Sequence, residues 1–503
     1  MTARRRGSLL LVAVVAVTSA CGTTVSPREA AQASSGNNGL SAGGTTGVTS
    51  GGTAGSGQGS TSGTGGSTGT TGGGQPGRTG STATGGVGPT TPSGTGSSSG
   101  GAVQGTLKLG VLDAKSPAAA ASATGAQSAA GVDPAELTRA FIRYYNAHGG
   151  MAGRKLEPVE YTIDPTSSSY ENDLSAACAR FTQDNHVRLV VSQTGNLFSG
   201  NYENCLTKAG VTNLEVANGA PDASALNKYP RLFTTGSPTV DRRVTAQLRG
   251  LARTGYLSRS TPIGVIVEDC PENSTAYAKT VVPVAKSLGL TLTMRKVNCV
   301  TGFSDAGAYF AQVGSAVLPF NTAGISRVLF ITSFEVAALQ AFENQAQAQA
   351  YSPSYVLSSI ASTAVQASQY SADAQRRMAG VGWIPVLDTT GVPQTTGAKH
   401  CSEIARSQGQ TISNQSDYVF LLQVCDLFGV LDAALVAARG SDEAAAFSAG
   451  LGAAMPSYRS SDVLGERLRL GGDAHDGPPA FAPFAYVSSC SCFRYTSKPA
   501  ALA

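Results

Sequence analysis

From residue 106 onward, short runs of aliphatic and β-branched residues alternate with stretches in which apolar positions recur every three or four residues. The first run, 107–112, has the character of a strand. A helix follows whose start is marked three times: Asp133 can cap it, Pro134 suits its first turn, and Glu136 completes a capping-box-like spacing. Leu137, Phe141 and Tyr144 or Tyr145 then share one face, and His148-Gly149-Gly150 ends the run. The alternation continues with strand 156–163, helix 170–183, strand 187–191, helix 201–209 and strand 211–217. A second series predicts strand 263–267, helix 273–288, strand 290–297, helix 305–318, strand 328–332 and helix 335–347. Strands alternating with crossover helices demand parallel sheets covered on both faces. Two such series in about 400 residues predict an α/β protein of two lobes.

The beginning of the chain has a different pattern. Arg4, Arg5 and Arg6 precede the apolar run 9–17, which leads through Thr18, Ser19 and Ala20 to Cys21. A basic stretch, a short apolar stretch and small residues form an export signal, and the run is well short of the roughly 20 apolar residues a bilayer span needs. Small residues directly before a cysteine resemble the end of a bacterial lipobox, although Thr18 stands where Leu is commonest. Residues 1–20 are thus expected to be a lipoprotein signal peptide and Cys21 the lipidation site. Residues 21–105 are then expected to be a tether. From about 34 to 105 the tether is almost wholly Gly, Ser and Thr, too poor in apolar surface to offset its ordering entropy. As a Gly-rich coil it holds the folded part on the order of 45 Å from its anchor. Nucleophile-elbow and dinucleotide-loop strings at 39–43 and 72–77 fall inside it without the strand and helix such motifs require, and carry no chemistry.

Charge and cysteines narrow the function classes. The net charge is +4, acids and bases nearly balance, and no basic cluster interleaved with aromatics occurs in the folded part, so nucleic acid is not an expected partner. There are nine cysteines; setting Cys21 aside leaves eight, an even number behind an export signal, which argues for disulfides. Cys178 and Cys205 lie in successive predicted helices on either side of strand 187–191. Cys270 and Cys299 close two successive strands whose C-terminal ends would be neighbours in a parallel sheet. For Cys401, Cys425, Cys490 and Cys492, a bond between Cys490 and Cys492 and a crossed pairing with 401 and 425 are both open. Zinc-type thiol spacing with partner histidines is missing, and His148, His186, His400 and His475 are scattered. Neither a metal nor a cofactor is expected.

The stretch Asn146-Ala147-His148-Gly149-Gly150-Met151-Ala152-Gly153-Arg154-Lys155-Leu156, with Asp164 after it, resembles a signature of branched-chain-amino-acid-binding (leucine-binding-protein-like) solute-binding proteins of ABC importers, which have the type I periplasmic fold. The resemblance extends over residues 106–495. Arg231 to Thr235 is similar to that family's crossing into the second lobe and Gly380 to Trp383 to its return. The helix 417–438 and the segment 468–493 are similar to its late aromatic-led helix and its final strands. The resemblance implies two lobes joined by three crossovers, lobe 1 from 106–236 and 361–460 and lobe 2 from 237–360 and 461–503. It also implies a ligand in the cleft between them. Open parallel sheets independently place ligands outside the carboxyl ends of their strands.

The candidate ligand-binding residues therefore sit at strand ends. In the first lobe they are Gln193 and Thr194 in the polar turn after strand 187–191, and Asn218 after strand 211–217; Asp113 ends the first strand. In the second lobe they are Asp269 after strand 263–267, and Ser333, Phe334 and Glu335 after strand 328–332, with Phe334 placed where the family often has an aromatic over the ligand. After strand 355–357, where amino-acid binders of the family commonly present an acid, this chain has Ser358-Ser359-Ile360-Ala361-Ser362, which puts an α-amino acid ligand in question.

The expected function is an extracytoplasmic solute-binding lipoprotein, not an enzyme, that captures an amino acid, amide or short organic acid for an ABC permease. It would be a monomer anchored by lipid at the outer face of the cell membrane. A tethered ligand sensor with the same fold is the alternative. A hydrolase built on Asp473, His475 and Asp476 lacks a nucleophile on a strand-to-helix elbow.

Overall fold

In the computed structural model the described residues are 105–115, 131–164, 167, 169–193, 198–216 and 221–501. The expected signal peptide, the lipidation site Cys21 and the tether lie outside them, as do Thr194 and Asn218.

Two sheets organise these residues. The first has the order β2-β1-β3-β4-β5, from β1 (Thr106–Ala114), β2 (Lys155–Ile163), β3 (Leu189–Gln193), β4 (Thr212–Glu215) and β5 (Leu232–Thr234), all parallel. The second has the order β12-β11-β10-β9-β8-β6-β7, from β6 (Pro262–Glu268), β7 (Thr291–Val297), β8 (Arg327–Ile331), β9 (Ser354–Ser358), β10 (Met378–Gly382), β11 (Ala482–Val487) and β12 (Cys492–Tyr495). Only β11 runs against the others, antiparallel to β10 on one side and to β12 on the other.

The helices, in chain order, are α1 (Pro134–Ala147), α2 (Tyr170–Ala179), α3 (Gly200–Ala209), α4 (Ala223–Lys228), α5 (Val240–Arg253), α6 (Pro271–Ala276), α7 (Val282–Leu288), α8 (Ala306–Ser315), α9 (Val317–Thr322), α10 (Glu335–Ala348), α11 (Ala372–Arg376), α12 (Pro385–Asp388), α13 (Thr396–Ser407), α14 (Gln415–Ala437) and α15 (Ala444–Ala454). Two expected helices are broken. Pro283 has no N–H to give to the carbonyl of Lys279, and a π-helical turn at Tyr277–Val281 separates α6 from α7. The expected helix 305–318 divides at Ala316 into α8 and α9.

Local sequence explains the elements well. Asp133 accepts hydrogen bonds from the N–H groups of Ala135 and Glu136, as a cap should. Glu136 does not close a capping box but turns outward to Arg139 and Arg143. The signature around the paired glycines is a clasp at the start of β2. Gly150 has φ +78°, and a Cβ there would lie 2.0 Å from the Arg154 carbonyl oxygen, so only glycine fits. Asn146 brackets Leu156 with both ends of its amide, at 2.7 and 2.9 Å, and the Arg154 guanidinium donates to the carbonyls of Gly440 and Thr106, each at 2.8 Å.

The apolar helix α14 is the one helix among the described residues long and apolar enough to cross a membrane. It is instead a core helix of the first lobe, packed by α1, α13 and α15. Asn414 and Asp417 form a capping box at its start. Asp417 also accepts the N–H groups of Gly131 at 2.7 Å and Val132 at 3.2 Å, tying α14 to the approach of α1.

The lobe boundaries fall later than the sequence suggests. β10 is paired on both sides within the second sheet, so that lobe keeps the chain to Gly382 instead of 360. It resumes at β11 and not at 461, because 468–481 forms turns and isolated bridges in place of the expected strands. Three crossovers join the lobes and run against one another. In the first, Thr234 donates to the His475 carbonyl and accepts from Gly477, both at 2.8 Å, so the third crossover lies along it. In the second, the Trp383 indole N–H donates to the Gly236 carbonyl at 2.8 Å, and the Trp383 carbonyl accepts from Leu464 at 2.7 Å.

The disulfides are Cys178–Cys205, Cys270–Cys299, Cys401–Cys425 and Cys490–Cys492. Between the two arrangements left open for the last four cysteines, the packing of α13 on α14 places Cys401 beside Cys425.

Candidate functional site

The C-terminal ends of β1 and β3 and the first turns of α1 meet at one spot in the first lobe. Gln193, half-buried at the end of β3, donates from Nε2 to the Thr138 hydroxyl at 2.6 Å. Thr138 donates to the Pro134 carbonyl at 2.9 Å and lies 3.4 Å from Asp113 Oδ1. Burial pushes the Asp113 carboxyl up to about 7; Glu160 adds to the rise while Arg139 and the Thr138 hydroxyl oppose it. Asp113, Thr138 and Gln193 therefore form one polar cluster. Sequence reading found Gln193 and noted Asp113 but missed Thr138, whose position in the second turn of α1 carries no motif. Behind them, Ser192 donates to Asn213 at 2.8 Å, and Asn213 donates to the buried Glu203 at 2.9 Å.

In the second lobe the strand ends are braced by Glu268, the last residue of β6. Its carboxylate accepts the N–H of Val300 at 2.9 Å, the N–H of Ser333 at 2.8 Å and the Asn273 amide at 3.3 Å. One side chain thereby fixes the loops after β6, β7 and β8. Burial raises its pKa against these hydrogen bonds.

The expected residues of this lobe occupy three different positions. Ser333 is half-buried at the end of β8. Phe334 is buried with its ring edge-on to Tyr309, centroids 6.4 Å apart, and its N–H donates to the Thr332 hydroxyl at 2.8 Å. Glu335 is wholly buried and accepts both the N–H of Ser358, at 2.8 Å, and the Ser358 hydroxyl. Burial raises its pKa, offset by the nearby Arg243 guanidinium, which is itself buried and donates to the Thr332 carbonyl at 3.4 Å. The serine found where an acid is common thus fastens an acid supplied by the start of α10, after the neighbouring strand. Asp269 lies on the exposed surface, bonded to Lys296 at 2.8 Å and Ser274 at 2.6 Å, and Lys296 holds its carboxyl below the usual range. Its side chain is committed to that pair.

The two lobes approach each other at these ends. One apolar cluster contains Leu112, Ile163 and Tyr170 from the first lobe and Ile266, Val300 and Phe334 from the second. Asp241 at the start of α5 accepts the Ala223 N–H of the first lobe at 2.9 Å and the Thr280 hydroxyl of the second at 2.8 Å.

Two rival chemistries find no support in the geometry. Among the described residues, Glu268, Cys270 and Cys299 place ligand atoms close enough for a metal, but the two sulfurs are bonded to each other and offer no thiolate. His475 stacks on Phe233, centroids 4.7 Å apart, with Nδ1 3.0 Å from the Leu232 carbonyl. Asp476 is buried and holds Arg242 at 2.5 Å, Arg469 at 2.7 Å and the Thr239 N–H at 2.9 Å. These residues lock the first and third crossovers together.

Two parallel-dominated sheets and three adjoining crossovers define a two-lobed α/β fold of the periplasmic-binding-protein type. No family model matches the sequence, and no curated protein matches it. Solved structures do match in fold. The substrate-binding protein of an ABC transporter from Aeropyrum pernix has a TM-score of 0.60 and 11% identity, over 79% of this chain and 96% of that one. A solute-binding protein from Rhodopseudomonas palustris BisB5, in complex with 3,4-dihydroxybenzoic acid, has a TM-score of 0.55 and 11% identity, over 79% and 98%. A substrate-binding protein from Desulfitobacterium hafniense, in complex with leucine, has a TM-score of 0.53 and 14% identity, over 78% and 100%.

Proposed function

We propose that this protein is an exported solute-binding lipoprotein that captures a small polar molecule, an amino acid, amide or short organic acid, between its lobes and presents it to an ABC permease. The observation that carries this is the gathering of Asp113, Thr138 and Gln193 at the strand ends of one lobe, in a fold whose other lobe is joined to it by three crossovers. Polar groups at the switch from strand to helix are where open parallel sheets bind their ligands. Likeness to proteins that hold leucine or 3,4-dihydroxybenzoic acid supports a small carboxylate-bearing ligand, and Thr194 and Asn218 are proposed to contact it together with Gln193, Ser333 and Phe334. Anchoring through Cys21, a monomeric state and delivery from the outer face of the membrane complete the proposal. No catalytic step is assigned to it.

The test is a thermal-shift screen of the purified protein against amino acids, amides, hydroxybenzoates and short organic acids, followed by calorimetric titration of the hit. A ligand at 100 times its dissociation constant adds about 2.7 kcal/mol to stability. Gln193→Ala and Asp113→Asn are expected to weaken the hit by at least about tenfold, while Asp269→Asn leaves it unchanged. Unchanged affinity in both of the first two variants would refute the assignment of the cleft.

A further inference from the structure

The tip of the β11–β12 hairpin is unlike the other three disulfide sites. The bridges Cys178–Cys205, Cys270–Cys299 and Cys401–Cys425 each join two different elements across 24 to 29 residues of chain. Their cysteines are shielded, as is usual for structural bridges: Cys178, Cys270, Cys401 and Cys425 are buried, and Cys205 and Cys299 are half-buried. Cys490–Cys492 spans two positions and encloses Ser491 alone, whose φ is +49°. Cys490 is the one disulfide cysteine that is exposed, whereas Cys492 is buried under the turn.

Such a bridge does little for the fold. Closing a loop of one residue removes far less freedom from the unfolded chain than closing one of 24 to 29 residues. The hairpin is held without it, by the ladder pairing Phe484, Ala485, Tyr486 and Val487 with Tyr495, Arg494, Phe493 and Cys492. The charge of this stretch of chain favours exchange chemistry. Thiol–disulfide exchange needs a thiolate to reach one sulfur and a second thiolate to leave, and positive charge nearby assists both. From 481 to 503 the sequence contains Arg494 and Lys498 and neither Asp nor Glu.

We propose that Cys490–Cys492 is a thiol–disulfide exchange site whose reaction partner is a dithiol, borne by a small molecule or by an envelope oxidoreductase. A thiolate of the dithiol attacks the exposed Cys490 sulfur, forming a mixed disulfide, and Cys492 leaves as the thiolate and takes up a proton. The second thiol of the partner, deprotonated, then attacks its own partner sulfur in the mixed disulfide and releases Cys490. The dithiol is oxidised to a disulfide, and Cys490 and Cys492 are reduced to two thiols, a transfer of two electrons. The other three bridges stay closed throughout.

The experiment exposes the full folded chain to dithiothreitol in a series of reduced-to-oxidised ratios, traps free thiols with N-ethylmaleimide and assigns them by peptide mass spectrometry. Cys490 and Cys492 are expected to be labelled at a ratio at least about tenfold lower than any of the other six disulfide cysteines. Opening of another bridge at the same or a lower ratio overturns the proposal. Direction of attack is read from two single variants under native conditions. Cys490 in Cys492→Ser is expected to react with N-ethylmaleimide at least about tenfold faster than Cys492 in Cys490→Ser. Equal rates, or the reverse order, overturn attack at Cys490, and the titration of the unmutated chain stands as the test should either variant fail to fold.

Discussion

Asp388, the last residue of α12, carries an acid whose titration is set by the fold. It is fully buried, and one oxygen, Oδ2, accepts the Tyr495 hydroxyl at 2.6 Å, the Ser359 hydroxyl at 2.9 Å and the Ile384 N–H at 3.0 Å. The other oxygen, Oδ1, has no hydrogen-bond partner among the described residues. Burial pushes the carboxyl from 3.8 up to about 7; the three hydrogen bonds resist this and the buried Glu335 adds to it. Between those two values the folded protein keeps a proton that the unfolded chain has given up. Raising the pH therefore removes stability at about 1.4 kcal/mol per unit. The contribution is fully present below the unfolded value of 3.8 and gone once pH has passed about 7, a total of about 4 kcal/mol. In Asp388→Asn the amide oxygen keeps the three donors and nothing titrates. Urea unfolding of both proteins at pH 5 and pH 8 checks this. The parent is expected to lose about 3 kcal/mol more than the variant between the two. Buried acids with raised values that Asp388 does not influence, Asp113 and Asp426 among them, are shared by both proteins and cancel in the difference. Equal losses in the two proteins would refute a protonated Asp388 in the fold.

Two other substitutions test the packing that holds the lobes. Asp417→Ala leaves the N–H groups of Gly131, Val132, Ser413 and Asn414 without their acceptor, and a loss of about 3 kcal/mol is expected in urea unfolding. Burial alone would raise the Asp417 carboxyl, but hydrogen bonds from Ser413, Gly131 and Val132 hold it below its usual value, so its contribution fades as pH falls through the acid range. Gly264→Ala places a Cβ 2.6 Å from the Phe320 ring packed against β6, and a cost of about 1 to 3 kcal/mol is expected in the same assay.

Local chemistry settled much of this protein. Alternation of apolar runs with helical spacing located strands and helices in both lobes, because each period is imposed by the geometry of a single element. Asp133 and Pro134 marked the start of α1, and the paired glycines marked a turn that no side chain can enter, since both effects act within a few residues. The tertiary structure decided where these elements meet. β10, Met378–Gly382, is buried along its whole length and bears no alternation that would assign it to a sheet; its membership comes from pairing with β9 and β11. Glu335 and Asp269 look equivalent as acids after a strand. One is turned inward by Ser358, 23 residues away, and the other is drawn outward by Lys296, 27 residues away. Asp417 finds its partner Gly131 at a separation of 286. Spacing along the chain fixes which face a residue occupies within its own element. The group that completes a side chain's hydrogen bonds comes from another element, and only folding brings the two together.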